Sequence, residues 1–170
     1  SVSNKFNLVE KQLLPSLDAF DKLINENDIQ CILTYPNNDA GGDNIYSILR
    51  KYSLDKKNVT LYQSLGRKLY WGLLNLAKDS KYRVACVGNS SSGIKESPAF
   101  GCSAVNIGSR QLGRLRANNV IDADYDKNTI YNAITKCLFD DEFRNQSRIC
   151  DNPYGMGNTG NKIVDVIKNI

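Results

Sequence analysis

RVACVGNSSSGIKES, residues 83–97, decides how the rest of the chain is read. The apolar run over 83–87 is too short for a buried helix and ends at a glycine-asparagine pair, as a parallel strand does. Three serines follow, and 92–100 then carries a pattern that can wind into a helix. A strand passing through a small polar loop into a helix is one βα unit. Such a loop offers hydroxyls and unpaired backbone N–H groups at a helix start, where an anion such as phosphate is favoured. Gly88 and Gly93 let backbone approach a ligand closely. The plainer alternative is a turn in which one serine caps the helix and the others are solvated. A capping box from Ser92 would need Glu or Gln at position 95, which is Lys95, so Glu96 is left for another partner. The motif is neither a Walker loop nor GxGxxG, and alone it leaves both readings open.

Working outward, the same alternation recurs. Residues 6–25 have apolar positions at helical spacing, and CILTY (31–35) reads as a buried parallel strand. A helix is expected over 41–52, a strand over 58–62, a helix over 67–77 and a strand over 103–107. After the polar loop GSRQLGRLRANN (108–119) come a short strand at Val120-Ile121 and helical patterns over 129–138 and 162–167. Repeated βα units imply a Rossmann-like α/β fold, a three-layer parallel sheet with helices on both faces. Ligands in such sheets bind beyond the carboxyl ends of the strands. Those ends carry PNNDAGG, GNSSSG and GSRQLGR.

The chain's 170 residues suit one domain. A net charge of +4 without a basic block argues against a nucleic-acid surface, while allowing an anion held by one or two arginines. Five dispersed cysteines without CxxC spacing suggest neither a disulfide framework nor zinc, and fit a reducing, cytoplasmic setting. No apolar run is long enough for a membrane helix. The chain has no histidine, which excludes Ser-His-Asp, Cys-His and His-metal chemistry within these residues.

Several side chains are candidates on chemical grounds. Arg110 and Arg114 could neutralise a pyrophosphate or stabilise its departure, or lie solvated in surface ion pairs. Asn37, with Asn38 and Asp39, could meet a ligand or form an Asx turn that caps the next helix. Tyr70 and Trp71 could be core aromatics, or one could stack on a base.

Taken in order, PNNDAGG, GNSSSGIKESPAFG, AVNIGSRQLGR and NPYGMGNTGNKIV resemble the UDP-N-acetylglucosamine 2-epimerase family, in particular its hydrolysing branch. The resemblance runs from about Asn7 to the end. It departs at Cys102-Ser103, where a Thr-Pro-like pair is usual, and over 78–83, which looks like a short insertion. It implies the C-terminal, UDP-sugar-binding half (1–170) of a two-domain glycosyltransferase-B-like enzyme, with the N-terminal catalytic domain outside these residues. By resemblance, Asn89, Ser90, Ser91 and Gly93 belong to the diphosphate loop and Glu96 holds the ribose hydroxyls. Arg110 and Arg114 reach toward the phosphates, with Arg110 stabilising the leaving group. Asn37 touches the nucleotide, and Tyr70 is the aromatic near the uracil.

The implied reaction eliminates UDP to a 2-acetamidoglucal and adds water, giving N-acetylmannosamine for sialic-acid-type synthesis, with no metal or other cofactor. The acid and base belong to the absent domain, so the fragment is expected to bind UDP without turnover. Alternatives are the same chemistry on a UDP-2,4-diacetamido-trideoxy sugar, a glycosyltransferase C-domain, or a non-catalytic UDP-binding module. The resemblance further implies that a central strand of the sheet precedes residue 1. Either the remaining strands close that gap or another chain fills it, and a homo-oligomer is expected.

Overall fold

The structure is a computed structural model that describes residues 9–36, 42–54, 56–155 and 157–169. Helix α1 (Val9–Glu26) leads to strand β1 (Cys31–Thr34), helix α2 (Gly42–Ser53) and strand β2 (Val59–Tyr62). Helix α3 (Gly66–Asn75) continues as a 3-10 turn, Leu76–Lys78, before β3 (Ala85–Gly88). The short helix α4 (Ser92–Lys95) and a second 3-10 turn, Ser97–Phe100, precede β4 (Ser103–Ile107) and β5 (Val120–Ala123). Helices α5 (Lys127–Phe139), α6 (Asp141–Arg148) and α7 (Thr159–Lys168) complete the chain.

Every strand pairing is parallel, β1 with β2 and β3–β4–β5 in that order. The period-2 alternation of β3 shows the layers. Ala85 and Val87 pack into the cluster of α1 and α5 that contains Ala19, Leu23, Ile130 and Ile134. Cys86 between them points the other way, into the cluster of Leu74, Ala77, Cys102 and Tyr70 beneath α3. Strand β4 is buried along its whole length, as the centre of a covered sheet must be. The fold is thus the expected Rossmann-like α/β arrangement, with one departure.

The departure is a divided sheet. Among the described residues β1–β2 forms one sheet and β3–β4–β5 another. No strand pairing joins β1 or β2 to β3, β4 or β5 among the described residues. A cleft lies between them, lined by Ile32, Leu33 and Thr34 from β1, Val87 and Gly88 from β3, and Leu13, Leu17 and Phe20 from α1. Strand β1 is therefore not the doubly covered strand that CILTY suggests: its burial alternates and Ile32 is 43% exposed. Four apolar or β-branched residues read alike whether a neighbouring strand lies on the next edge or not.

Two helical expectations are also corrected. The helix expected over 92–100 breaks at Glu96, because Pro98 cannot continue the backbone ladder and the chain tightens into 3-10 geometry. Helix α6 was not expected. Its residues, DEFRNQSR, are polar all round except for Phe143, and it is started by Asp140, whose carboxylate accepts from Phe143 N at 2.9 Å. Helix α7 runs longer than 162–167 and buries none of its residues.

Candidate functional site

The serine turn begins where β3 ends. Gly88 has φ +146°, a value that L residues rarely adopt, so the chain turns out of the strand at the one residue without a Cβ. Ser90 is exposed, and its hydroxyl accepts from Ser92 N at 3.4 Å. Ser91 supplies the carbonyl that accepts from Ile94 N and Lys95 N at 3.1 and 2.9 Å, which starts α4. Gly93 lies over β3, where an added Cβ would stand 3.6 Å from Cys86 Sγ. Helix α4 has only four residues, so its macrodipole is smaller than the longer helix would provide. Any anion there would rely on the local N–H groups and hydroxyls.

Arg110 lies on the loop after β4, beside this turn. Its guanidinium donates to the Asn89 carbonyl oxygen at 3.2 Å. Gln111, only 2% exposed, donates its amide to the same oxygen at 2.7 Å. The two loops after neighbouring strands are therefore tied together, and Asn89 serves as the acceptor of that tie. Arg116 plays another part: it donates to the carbonyls of Gln111 and Arg114 and pairs with Asp122 at 3.0 Å, holding the loop in shape. Arg114 is exposed on the same loop.

On the other side of the serine turn a cleft of about 570 Å³ opens at the carboxyl ends of β1 and β2. Its walls are Thr34 and Tyr35, Gln63 to Arg67, Tyr70 and Trp71 of α3, and Ser92 and Glu96. Tyr70 is half-buried in the cluster under α3, and its hydroxyl meets Ser92 Oγ and lies 3.5 Å from Cys86 Sγ. Burial, then the neighbouring Cys86, pushes that phenol well above its usual range, so it stays a neutral hydrogen-bonding group. Trp71, one residue on, is 39% exposed and donates its indole N–H to Glu96 Oε2 at 2.6 Å.

Burial raises the thiols of Cys86 and Cys102, and holds Cys31 up at about 11 and Cys137 at about 12. Among the described residues no cluster of three or more His, Cys, Asp or Glu side chains could hold a metal ion. No helix among them is long and apolar enough to cross a membrane.

The candidates thus fall into two connected groups: Asn89, Ser90, Ser91, Gly93 and Arg110 at the ends of β3 and β4, and Tyr70, Ser92 and Glu96 at the cleft. Asn37 lies outside the described residues. Sequence reasoning missed Gln111, whose position between two arginines reads as solvated loop, and the contact between Trp71 and Glu96, which are separated by 25 residues.

The sequence model of the UDP-N-acetylglucosamine 2-epimerase family matches residues 6–168, nearly the whole chain. This chain belongs to that family.

Named relatives agree. A GDP/UDP-N,N'-diacetylbacillosamine 2-epimerase (hydrolyzing) of Campylobacter jejuni is 39% identical over 116 residues, which is 68% of this chain and 28% of that protein. A UDP-N-acetylglucosamine 2-epimerase of Neisseria meningitidis is 34% identical over 126 residues, 74% of this chain and 31% of the relative. A UDP-N,N'-diacetylbacillosamine 2-epimerase (hydrolyzing) of Legionella pneumophila is 33% identical over 144 residues, 84% of this chain and 35% of the relative. The chain spans about a third of the length of these 2-epimerases, or less.

Proposed function

We propose that this chain is the nucleotide-binding part of a hydrolysing 2-epimerase and that it grips the UDP portion of a UDP-N-acetylhexosamine. The observation that carries this reading is the tie between Arg110 and the Asn89 carbonyl, which sets a guanidinium beside the serine turn. A diphosphate bridging the two would meet hydroxyls and N–H groups from Ser90 and Ser91 and a fixed positive charge from Arg110, with Arg114 nearby on the same loop. Glu96 would then accept from the ribose hydroxyls in the adjoining cleft, with Tyr70 near the base.

In the reaction the C1–O bond of the sugar breaks and its electron pair passes to the β-phosphate. A proton leaves C2 to a base, giving a 2-acetamidoglucal, and water adds to C1 as a proton returns to C2 from the opposite face. This chain's share is charge stabilisation of the departing diphosphate, an effect of the oxyanion-hole kind. The proton-transfer groups are assigned to the parent protein outside these residues. These residues therefore bind without turning over, in a pathway leading to sialic-acid-type sugars. The relatives named for N,N'-diacetylbacillosamine favour a second substrate for the same chemistry, a UDP-2,4-diacetamido-trideoxy sugar.

Calorimetry with UDP, UDP-N-acetylglucosamine and the diacetamido analogue tests the assignment. Arg110→Ala and Ser90→Ala should each weaken UDP binding, the arginine change by about ten-fold or more for a lost charge-assisted contact. Wild-type protein that does not bind UDP, or variants that bind it unchanged, would refute it. So would release of N-acetylmannosamine by the chain alone, for the division of labour.

A further inference from the structure

We propose that Trp71 is a positioning residue that sets the Glu96 carboxylate for the nucleoside, a role that rests on the ribose contact proposed above for Glu96. Glu96 sits at the break between α4 and the following 3-10 turn, and its side chain caps neither. Its carboxylate instead accepts from the Trp71 indole N–H at 2.6 Å, the short distance of a charge-assisted bond. No ion pair among the described residues involves Glu96. The partner is thus a neutral donor, which fixes one oxygen and leaves the other available to accept.

Trp71 is itself held from two sides. Its ring packs against Phe100 with centroids 5.8 Å apart, and the Arg67 guanidinium lies 5.3 Å from the ring centre. Phe100 closes the same 3-10 turn that follows Glu96, so both ends of the Trp71–Glu96 bond are anchored to one short segment. Trp71 and Glu96 also line the same cleft with Tyr70 and Ser92. A half-exposed indole that spends its only N–H on a half-exposed carboxylate adds little to a core; it does restrict where that carboxylate points. An unrestrained glutamate would lose side-chain freedom on binding a diol, a cost that this bond removes in advance.

The ligands that separate this role from a structural one are UDP and 2′,3′-dideoxyuridine diphosphate, which differ only in the hydroxyls that Glu96 would accept. In Trp71→Phe, which keeps a ring beside Phe100, UDP binding should weaken about 5- to 10-fold while the dideoxy nucleotide changes less than about two-fold. In a Glu96→Ala background the same change should have no further effect on UDP. Trp71 is the chain's single tryptophan, so the wild-type protein gives one indole N–H resonance, which UDP should shift and the dideoxy nucleotide should leave near its free position. Equal losses for both nucleotides in Trp71→Phe, additive effects with Glu96→Ala, or an indole resonance that responds alike to both ligands would overturn the role of Trp71. Wild-type protein that binds the two nucleotides equally would remove the ribose contact itself, and Trp71's role with it. Absence of UDP binding altogether would instead refute the UDP assignment.

Discussion

Gly108, the first residue after β4, offers a sharp test of how the arginine loop is built. Its φ is +74°, in the left-handed region, and an added Cβ would stand 2.1 Å from Tyr125 Cζ and 2.2 Å from its Oη. Gly108→Ala therefore meets two separate costs. The left-handed backbone disfavours an L side chain by about 1–2 kcal/mol. Displacing the Tyr125 ring, which packs against the main core, adds about 1–3 kcal/mol of the kind seen on overpacking. Lower unfolded-state entropy offsets about 0.4–1 kcal/mol of this. The net loss is about 2–4 kcal/mol, which in a domain of this size lowers Tm by about 5–15 °C.

Thermal unfolding of Gly108→Ala, Tyr125→Ala and the double variant isolates the steric part. Removing the ring should restore about 1–3 kcal/mol, so the two changes must be strongly non-additive. Because Arg110 is two residues further on, UDP affinity should fall in Gly108→Ala and recover in part in the double variant. A Gly108→Ala protein that melts within about 2 °C of wild type, or strictly additive effects, would refute the close approach of Gly108 to Tyr125.

Two further outcomes follow from the interior. Asn119 is fully buried, and its amide donates to Ser97 Oγ at 2.8 Å and to the Cys102 carbonyl at 2.6 Å. Asn119→Ala strands both acceptors and should cost about 2–4 kcal/mol by chemical denaturation; a loss under about 1 kcal/mol would contradict it. Burial, assisted by the Asp21 charge, raises the Cys31 thiol from an ordinary 9.0 to about 11, so the folded state holds that proton between pH 9 and 11 after the unfolded chain has lost it. Stability should therefore fall as pH rises through that window. Cys31→Ala should fall less steeply, and an unchanged slope in denaturation curves from pH 8 to 11 would count against the assignment.

Much of this protein is written locally. The run ending at Gly88, the small residues after it and the turn into α4 are decided by nearest neighbours: apolar alternation, a glycine where φ is positive, and carbonyls that start a helix within four residues. The parallel α/β class followed from repeating that unit. The same locality explains why the site's components were legible as loops at strand ends. What is long-range was not legible. The break in the helix at Glu96 has a local cause in Pro98, which the expected helix over 92–100 ran through, but the carboxylate's engagement with Trp71 depends on α3 lying over β3. The tie from Arg110 and Gln111 to Asn89 depends on β3 and β4 being neighbours in register.

The division of the sheet between β1 and β3 is likewise a matter of which edges meet, and four-residue strands carry no record of their neighbours. Helix α6 is not legible in the sequence because its polar surface hides a single anchoring Phe143, an anchor visible only once a core exists to receive it. The amino-acid order thus determined the elements and the chemistry at their ends. Only the packing of those elements decided which ends face one another, because hydrogen bonds and close contacts between distant residues depend on distances in space that local periodicity does not encode.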